Sequence, residues 1–172
     1  MYKTFQIGLA LFFACISFAL FTEQQSPYNY PKYFPKPVIE LAYSNATEAK
    51  IELGRALFYE PKLSSDESIS CASCHSPYNA FAHTDHDLSH GIKDQIGTRN
   101  APALFNLAWS KTFMWDGAVN HLDMQALAPI SNPIEMNENI GNIVIKLQQT
   151  AIYPSLYKKA YGDSTITGTG LL

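Results

Sequence analysis

The residues with the clearest capacity for chemistry are Cys71, Cys74 and His75, in the stretch SCASCHS at residues 70–76. The whole chain holds three cysteines and five histidines, so this cluster concentrates its scarcest ligand types in five positions. Three chemistries compete for a Cys-x-x-Cys pair. A dithiol redox site wants a β-α context and has no use for the histidine. A zinc site wants a second ligand pair, and no other Cys pair exists. The third is covalent attachment of haem c: two thiols add to the two vinyl groups of one porphyrin, and the adjacent imidazole is set beneath the iron as its axial ligand. Only the third employs all three residues.

The elements that must hold this cluster read as helices. Asn45, with Glu48 three residues on, is a cap signal for a helix carrying Ala49, Leu53, Ala56 and Leu57 on one face and stopped by Pro61. From Leu63 to Pro102 the sequence is rich in Ser, Asp, His and Gly without periodicity, a long irregular region that needs a non-peptidic group to organise it. A second helix is expected from Asn120 to Ala128, ended by Pro129, with Asp116 and Asn120 as its caps. A third spans Glu138 to Gln149 with Ile140, Ile143, Val144 and Leu147 on one stripe, and a fourth opens at Pro154. The tail YGDSTITGTGLL reads as a Thr- or Ser-capped start of another helix, so a longer protein is expected. No strand pattern stands out. The expected fold is all-α, a cytochrome c-like haem domain with long irregular loops over residues 45–172.

Ahead of it lie two segments of different character. Residues 1–22 carry one early cation, Lys3, and an uncharged apolar run from Ile7 to Phe21, which reads as an export signal or, less well at that length, a membrane anchor. Cys15 as a lipid acceptor fits poorly behind Phe12 and Phe13. Residues 23–44 form a Pro- and Tyr-rich linker, with Pro27, Pro31, Pro35 and Pro37 favouring an extended arm; a solvated spacer and an arm packed by its aromatics are both open. A net charge of −3, with 12 scattered Lys and Arg, gives no footprint for nucleic acid. Export points to the periplasm.

Several blocks in fixed order carry a resemblance: LGRALFYEPKLSSDESISCASCH, GTRNAPALFN, FMWDGAVNHLDMQALAPI and NPIEM. Over Leu53 to Tyr161 the chain resembles the N-terminal half of the bacterial di-haem cytochrome c peroxidases and the related methylamine-utilisation di-haem enzymes. The resemblance implies that Cys71 and Cys74 attach haem and that His75 is the proximal ligand of the peroxidatic iron. It places Glu135 and Gln125 in the distal pocket as catalytic residues, Trp115 beside the haem, and Asn100 at a calcium ion between the halves. It further implies hydrogen peroxide as substrate, a small cytochrome or cupredoxin as electron donor, a second haem in the full-length family, and it admits a homodimer. Ile92 stands where many members have a distal histidine, with His90 two residues earlier, and Ala118 follows WDG where many have Arg. Candidates for a second iron ligand are His83, His86, His90, His121, Met114, Met124 and Met136. A single-haem electron-transfer cytochrome and a di-haem oxidase of another substrate remain as alternatives.

Overall fold

The computed structural model describes residues 30–38, 46–83 and 86–172. Asn45, the export-signal segment 1–22 and Cys15 lie outside the described residues. Among the described residues the chain is all-α, with three isolated antiparallel bridges, Ser76 to Ala82, His90 to Ile96 and Phe113 to Val119, in place of any sheet. No helix among them is long and apolar enough to cross a membrane.

Helix α1 spans Glu48–Phe58 and is capped by Thr47, whose hydroxyl accepts from the Lys50 amide at 3.3 Å. The helix thus begins later than the Asn45 signal implies, and Glu48 becomes its first residue, where a carboxylate meets the positive end of the helix. After a 3-10 turn at Pro61–Leu63, the four-residue helix α2 is Cys71–Cys74. Helices α3, Leu122–Gln125, and α4, Leu127–Ser131, replace the single helix expected to end at Pro129. Pro129 sits inside α4. Its missing N–H leaves the Gln125 carbonyl without its helical donor, and the break falls at Ala126 instead of after Ala128. Helix α5, Ile140–Gln148, is capped by Asn139; α6, Tyr153–Tyr161, has Pro154 in its first turn; and α7, Gly168–Leu171, is capped by Thr167.

The apolar stripe of α5 and the inner face of α6 meet α1 in one core, in which Leu53, Ile143, Leu147, Tyr153 and Tyr157 are buried with Leu63, Ile130 and Met136. Two polar devices hold the chain that leads to the cysteines. Lys146 of α5 donates to the Ser64 carbonyl at 2.7 Å and the Lys62 carbonyl at 3.3 Å while pairing with Glu138 at 2.7 Å. Ser64, fully buried, accepts from the Ser68 and Ile69 amides at 3.1 and 3.0 Å and donates to the Pro61 carbonyl. Together they pin the segment entering α2 to the core, while the Ser70–Ser73 capping box starts α2 locally.

The arm is packed. Trp109 donates its indole N–H to the Pro35 carbonyl at 2.8 Å, and Tyr30 and Phe34 meet its ring edge-on at 5.5 and 5.2 Å between centroids. For residues 30–38 this supports the packed arm over the solvated spacer.

Candidate functional site

A cavity of about 480 Å³ opens between α1, α2, the 89–102 loop, the turn before α3 and the α4 corner. Its volume lies in the range of cofactor sites, roughly 300–1,000 Å³. Every sequence-derived site residue lines it: Cys71, Cys74, His75, Asn100, Trp115, Gln125 and Glu135.

The donor set fits a covalently held haem. Both thiols are free, and burial pushes each above the ordinary thiol range. That is the reverse of a redox Cys-x-x-Cys, whose attacking thiol is made acidic. Burial also holds the His75 imidazole below its usual value, favouring the neutral, metal-ligating form. Its Nδ1 lies 2.9 Å from the Phe81 carbonyl, with the Pro102 carbonyl a second acceptor beside the ring. With the proton on Nδ1, that bond orients the ring and leaves Nε2 for iron. Phe81 reaches this place through a tight turn: Ala80 and Phe81 both have positive φ, 55° and 58°, and the Phe81 amide returns to the Ser76 carbonyl at 2.8 Å.

Glu135 is half-buried, and its carboxyl is raised above the usual carboxylate range by that burial, partly offset by the Asn132 amide, which donates to Oε1 at 2.8 Å. Asn132 is itself locked, accepting from the Ile134 amide at 3.1 Å. The Glu135 backbone is clamped from the other side: the Ile92 amide donates to its carbonyl at 2.8 Å, and a Cβ on Gly91 would lie 2.6 Å from the Glu135 Cα. Only glycine permits that approach. Ile92, which the resemblance sets against a distal histidine, is a buried residue that is 1% exposed.

The FMWDG segment folds as a turn closed by the Gly117 amide on the Met114 carbonyl at 3.2 Å, with Met114 at φ 69° and Gly117 at φ 70°. Holding Met114 left-handed costs roughly 1 kcal/mol or more. Asp116 takes the Arg99 guanidinium at 2.8 Å and the Ala118 amide at 3.1 Å, and the arginine holds its carboxyl below the usual range. It therefore braces this turn; α3 starts after His121 with no side-chain cap, contrary to the expected roles of Asp116 and Asn120. Trp115 donates to the Asn100 carbonyl at 2.7 Å and lies at the edge of the cavity. Asn100 Oδ1 is buried without a hydrogen-bond partner, a state that suits an oxygen offered to a cation. Among the described residues no group of three or more His, Cys, Asp and Glu side chains is arranged to hold a metal ion.

Of the seven candidates for a second iron ligand, His90, Met114 and Met136 line the cavity. His121 and Met124 are on exposed surface. His83 and His86 gather with His90, ring centroids 4.5–6.2 Å apart, a clustering that the HTDHD spacing alone does not reveal. Sequence reasoning also missed Asn132. The signal was the Asn-Pro dipeptide, a turn former whose Asn side chain bonds the backbone two residues on.

Comparison with known proteins gives a consistent answer. Residues 48–171 match the family model described as "Di-haem cytochrome c peroxidase". The methylamine utilization protein MauG of Methylorubrum extorquens is 36% identical over 128 residues, covering 71% of this chain and 34% of that protein. The cytochrome c peroxidase Ccp of Escherichia coli is 35% identical over 133 residues, covering 76% of this chain and 28% of that one. The crystal structure of a MauG-like protein associated with microbial copper homeostasis superposes with a TM-score of 0.72 at 29% identity, covering 84% of this chain and 44% of that one. The chain thus spans between a quarter and half of the length of these relatives. With the family model matched over residues 48–171 and the helical frame shared with a solved relative, the chain belongs to the di-haem cytochrome c peroxidase family.

Proposed function

We propose that the chain is the peroxidatic half of a c-type haem peroxidase, exported to the periplasm, that reduces hydrogen peroxide to water with electrons from a small cytochrome or cupredoxin. Cys71 and Cys74 would carry haem c and His75 would ligate its iron; a second haem belongs to the rest of the protein, and Asn100 would offer its free oxygen to calcium. A homodimer accords with this reading. Residues 1–22 would act as the export signal, 23–44 as the linker and 45–172 as the haem domain. The observation that supports the reading is one cavity lined by the thiol pair, its imidazole, the half-buried Glu135 and Gln125.

A haem held by Cys71, Cys74 and His75 would supply an electron-rich iron for reductive cleavage of the O–O bond. The chain's own residues manage the protons. Glu135 as carboxylate accepts the proton from the inner oxygen of peroxide and returns it to the outer one, so that the departing group is water. Gln125 supplies an amide N–H to orient peroxide. Two electrons and two protons enter and two waters leave. A carboxyl raised by burial suits this exchange, because its affinity for the proton lies nearer the working pH.

That burial sets a pH dependence. The carboxylate form is required, so activity rises as pH increases through the raised value. Asn132→Ala removes the amide that favours the charged form, raises the carboxyl further, and is expected to move the acid limb of the kcat/KM profile to higher pH. An acid limb that stays in place would detach it from Glu135.

The reading as a whole is tested with the full-length protein made in cells that install c-type haem. Peroxide-dependent oxidation of a reduced small cytochrome is expected, together with haem that survives denaturing electrophoresis. Covalent haem without peroxide turnover would favour the electron-transfer alternative, which the cavity-lining thioether of Met114 and imidazole of His90 keep open.

A further inference from the structure

Three histidine or methionine side chains line the cavity besides His75, and their surroundings separate them. Met136 is 3% exposed and packed in the core with Leu53, Leu63 and Ile130. His90 is tied by Nδ1 to Asp94 at 2.9 Å, and its ring lies against His86 at 4.5 Å and near His83 at 6.2 Å, turned into the histidine cluster. Met114 alone is a cavity-wall thioether engaged by another cavity group, the Gln125 amide, which donates to its Sδ at 3.5 Å. Its backbone is held at φ 69° by the turn that Gly117 closes. A non-glycine residue kept left-handed beside a site is the kind of outlier from which a function can be inferred.

We propose that Met114 is a redox-dependent axial ligand: its thioether binds the iron when reduced and leaves it open to peroxide when oxidised. This rests on the haem reading above. The physical reason is ligand softness. A thioether is a soft, neutral donor that prefers the lower-valent metal, and methionine opposite histidine is an established axial pair for haem iron. The same preference makes it a weaker ligand for the harder ferric state. Met114 on an unbranched side chain with three rotatable bonds can swing between Gln125 and the metal. When it swings inward, the Gln125 N–H loses its acceptor; when it swings back, that amide is occupied until peroxide arrives to compete for it. Binding of dioxygen to the reduced iron is thereby blocked, while peroxide meets an open ferric site.

The experiment compares the haem-loaded full-length protein with Met114→Leu, close in volume and without the sulfur, and with His90→Ala. Optical spectra of ferric and ferrous forms are read with carbon monoxide as the probe of the ferrous site. Where the full-length protein carries a second haem, spectra are recorded over a series of poised solution potentials so that the two haems are read separately. The expected result is a low-spin ferrous wild type, a high-spin ferrous Met114→Leu, and ferric spectra that do not differ. A ligand occupying nine-tenths of the ferrous molecules weakens apparent affinity for a competitor about tenfold, so Met114→Leu should bind carbon monoxide about tenfold more tightly. An unchanged ferrous spectrum and carbon monoxide affinity in Met114→Leu overturns the proposal. So does a ferrous iron opened by His90→Ala in its place. Met114→Ala repeats the comparison if the leucine variant does not fold. Absence of covalent haem in the wild type is a different failure, since it removes the haem reading itself.

Discussion

Glu135→Gln is expected to lower peroxide reduction by about 10²- to 10⁴-fold, the usual contribution of a positioned acid–base group, while leaving haem attachment and the fold intact. The substitution keeps size and shape and removes only the capacity to exchange a proton. Glu135 Oε1 now accepts from Asn132 at 2.8 Å, and a glutamine carbonyl oxygen accepts the same bond, so the loop from Asn132 to Met136 has no reason to move. The backbone clamp from Ile92 and Gly91 acts on the main chain and is indifferent to the side chain. Loss should fall on kcat and kcat/KM together, because the proton is moved in the transition state and not in the bound ground state. Full activity in Glu135→Gln, with covalent haem present, would falsify the role given to Glu135.

How much of this was legible in the sequence differs by element, for physical reasons. The Cys71, Cys74 and His75 set is local, fixed by the dimensions of one porphyrin, and reads directly. Helices α5 and α6 were readable because the apolar stripe of the first and the opening Pro154 of the second are local too. Glu135 and Gln125 were legible only through the order of the surrounding blocks; alone, a glutamate before a methionine says nothing. Pro129 was misread because proline stops a helix in its interior but is harmless in a first turn, and which applies depends on where the previous helix breaks. The Lys146 contacts to Ser64 and Lys62, more than eighty residues away in sequence, have no local signature at all. Yet they position the haem-attachment segment.

That dependence on distant contacts bears on what kind of protein this is without its cofactor. The irregular stretch between α1 and α3 has few hydrogen-bonded ladders of its own; its turns are closed by single bridges and by residues at positive φ, among them Phe81, Asp94 and Met114. Cavity-lining side chains are held by single hydrogen bonds, His75 by the Phe81 carbonyl, Met114 by Gln125 and Glu135 by Asn132. A bound planar group contacting all of them would supply the shared surface that the peptide lacks.

Cys71→Ser with Cys74→Ser should therefore remove covalent haem and with it cooperative folding. Serine hydroxyls do not add to the porphyrin vinyl groups, so no haem is expected to survive denaturing electrophoresis. The fold must then keep a cavity of about 480 Å³ empty, flooded or collapsed. At about 24 cal/mol per Å³ an empty cavity of that size would cost at most about 12 kcal/mol, comparable with the whole stability of an ordinary domain, about 5–15 kcal/mol. Water entry and partial collapse reduce that figure, but the wall is lined with Leu57, Phe58, Leu63 and Ile69, which gain nothing from water. The expected observation is loss of the sharp thermal transition in near-ultraviolet circular dichroism. His75→Ala separates the two functions of the motif: the thioether links persist and the cavity stays filled, while the iron loses its proximal imidazole and the absorption spectrum changes. A double serine variant that melts as sharply and as high as the parent would mean that the peptide alone supports this fold, and that the cavity is not built around the cofactor.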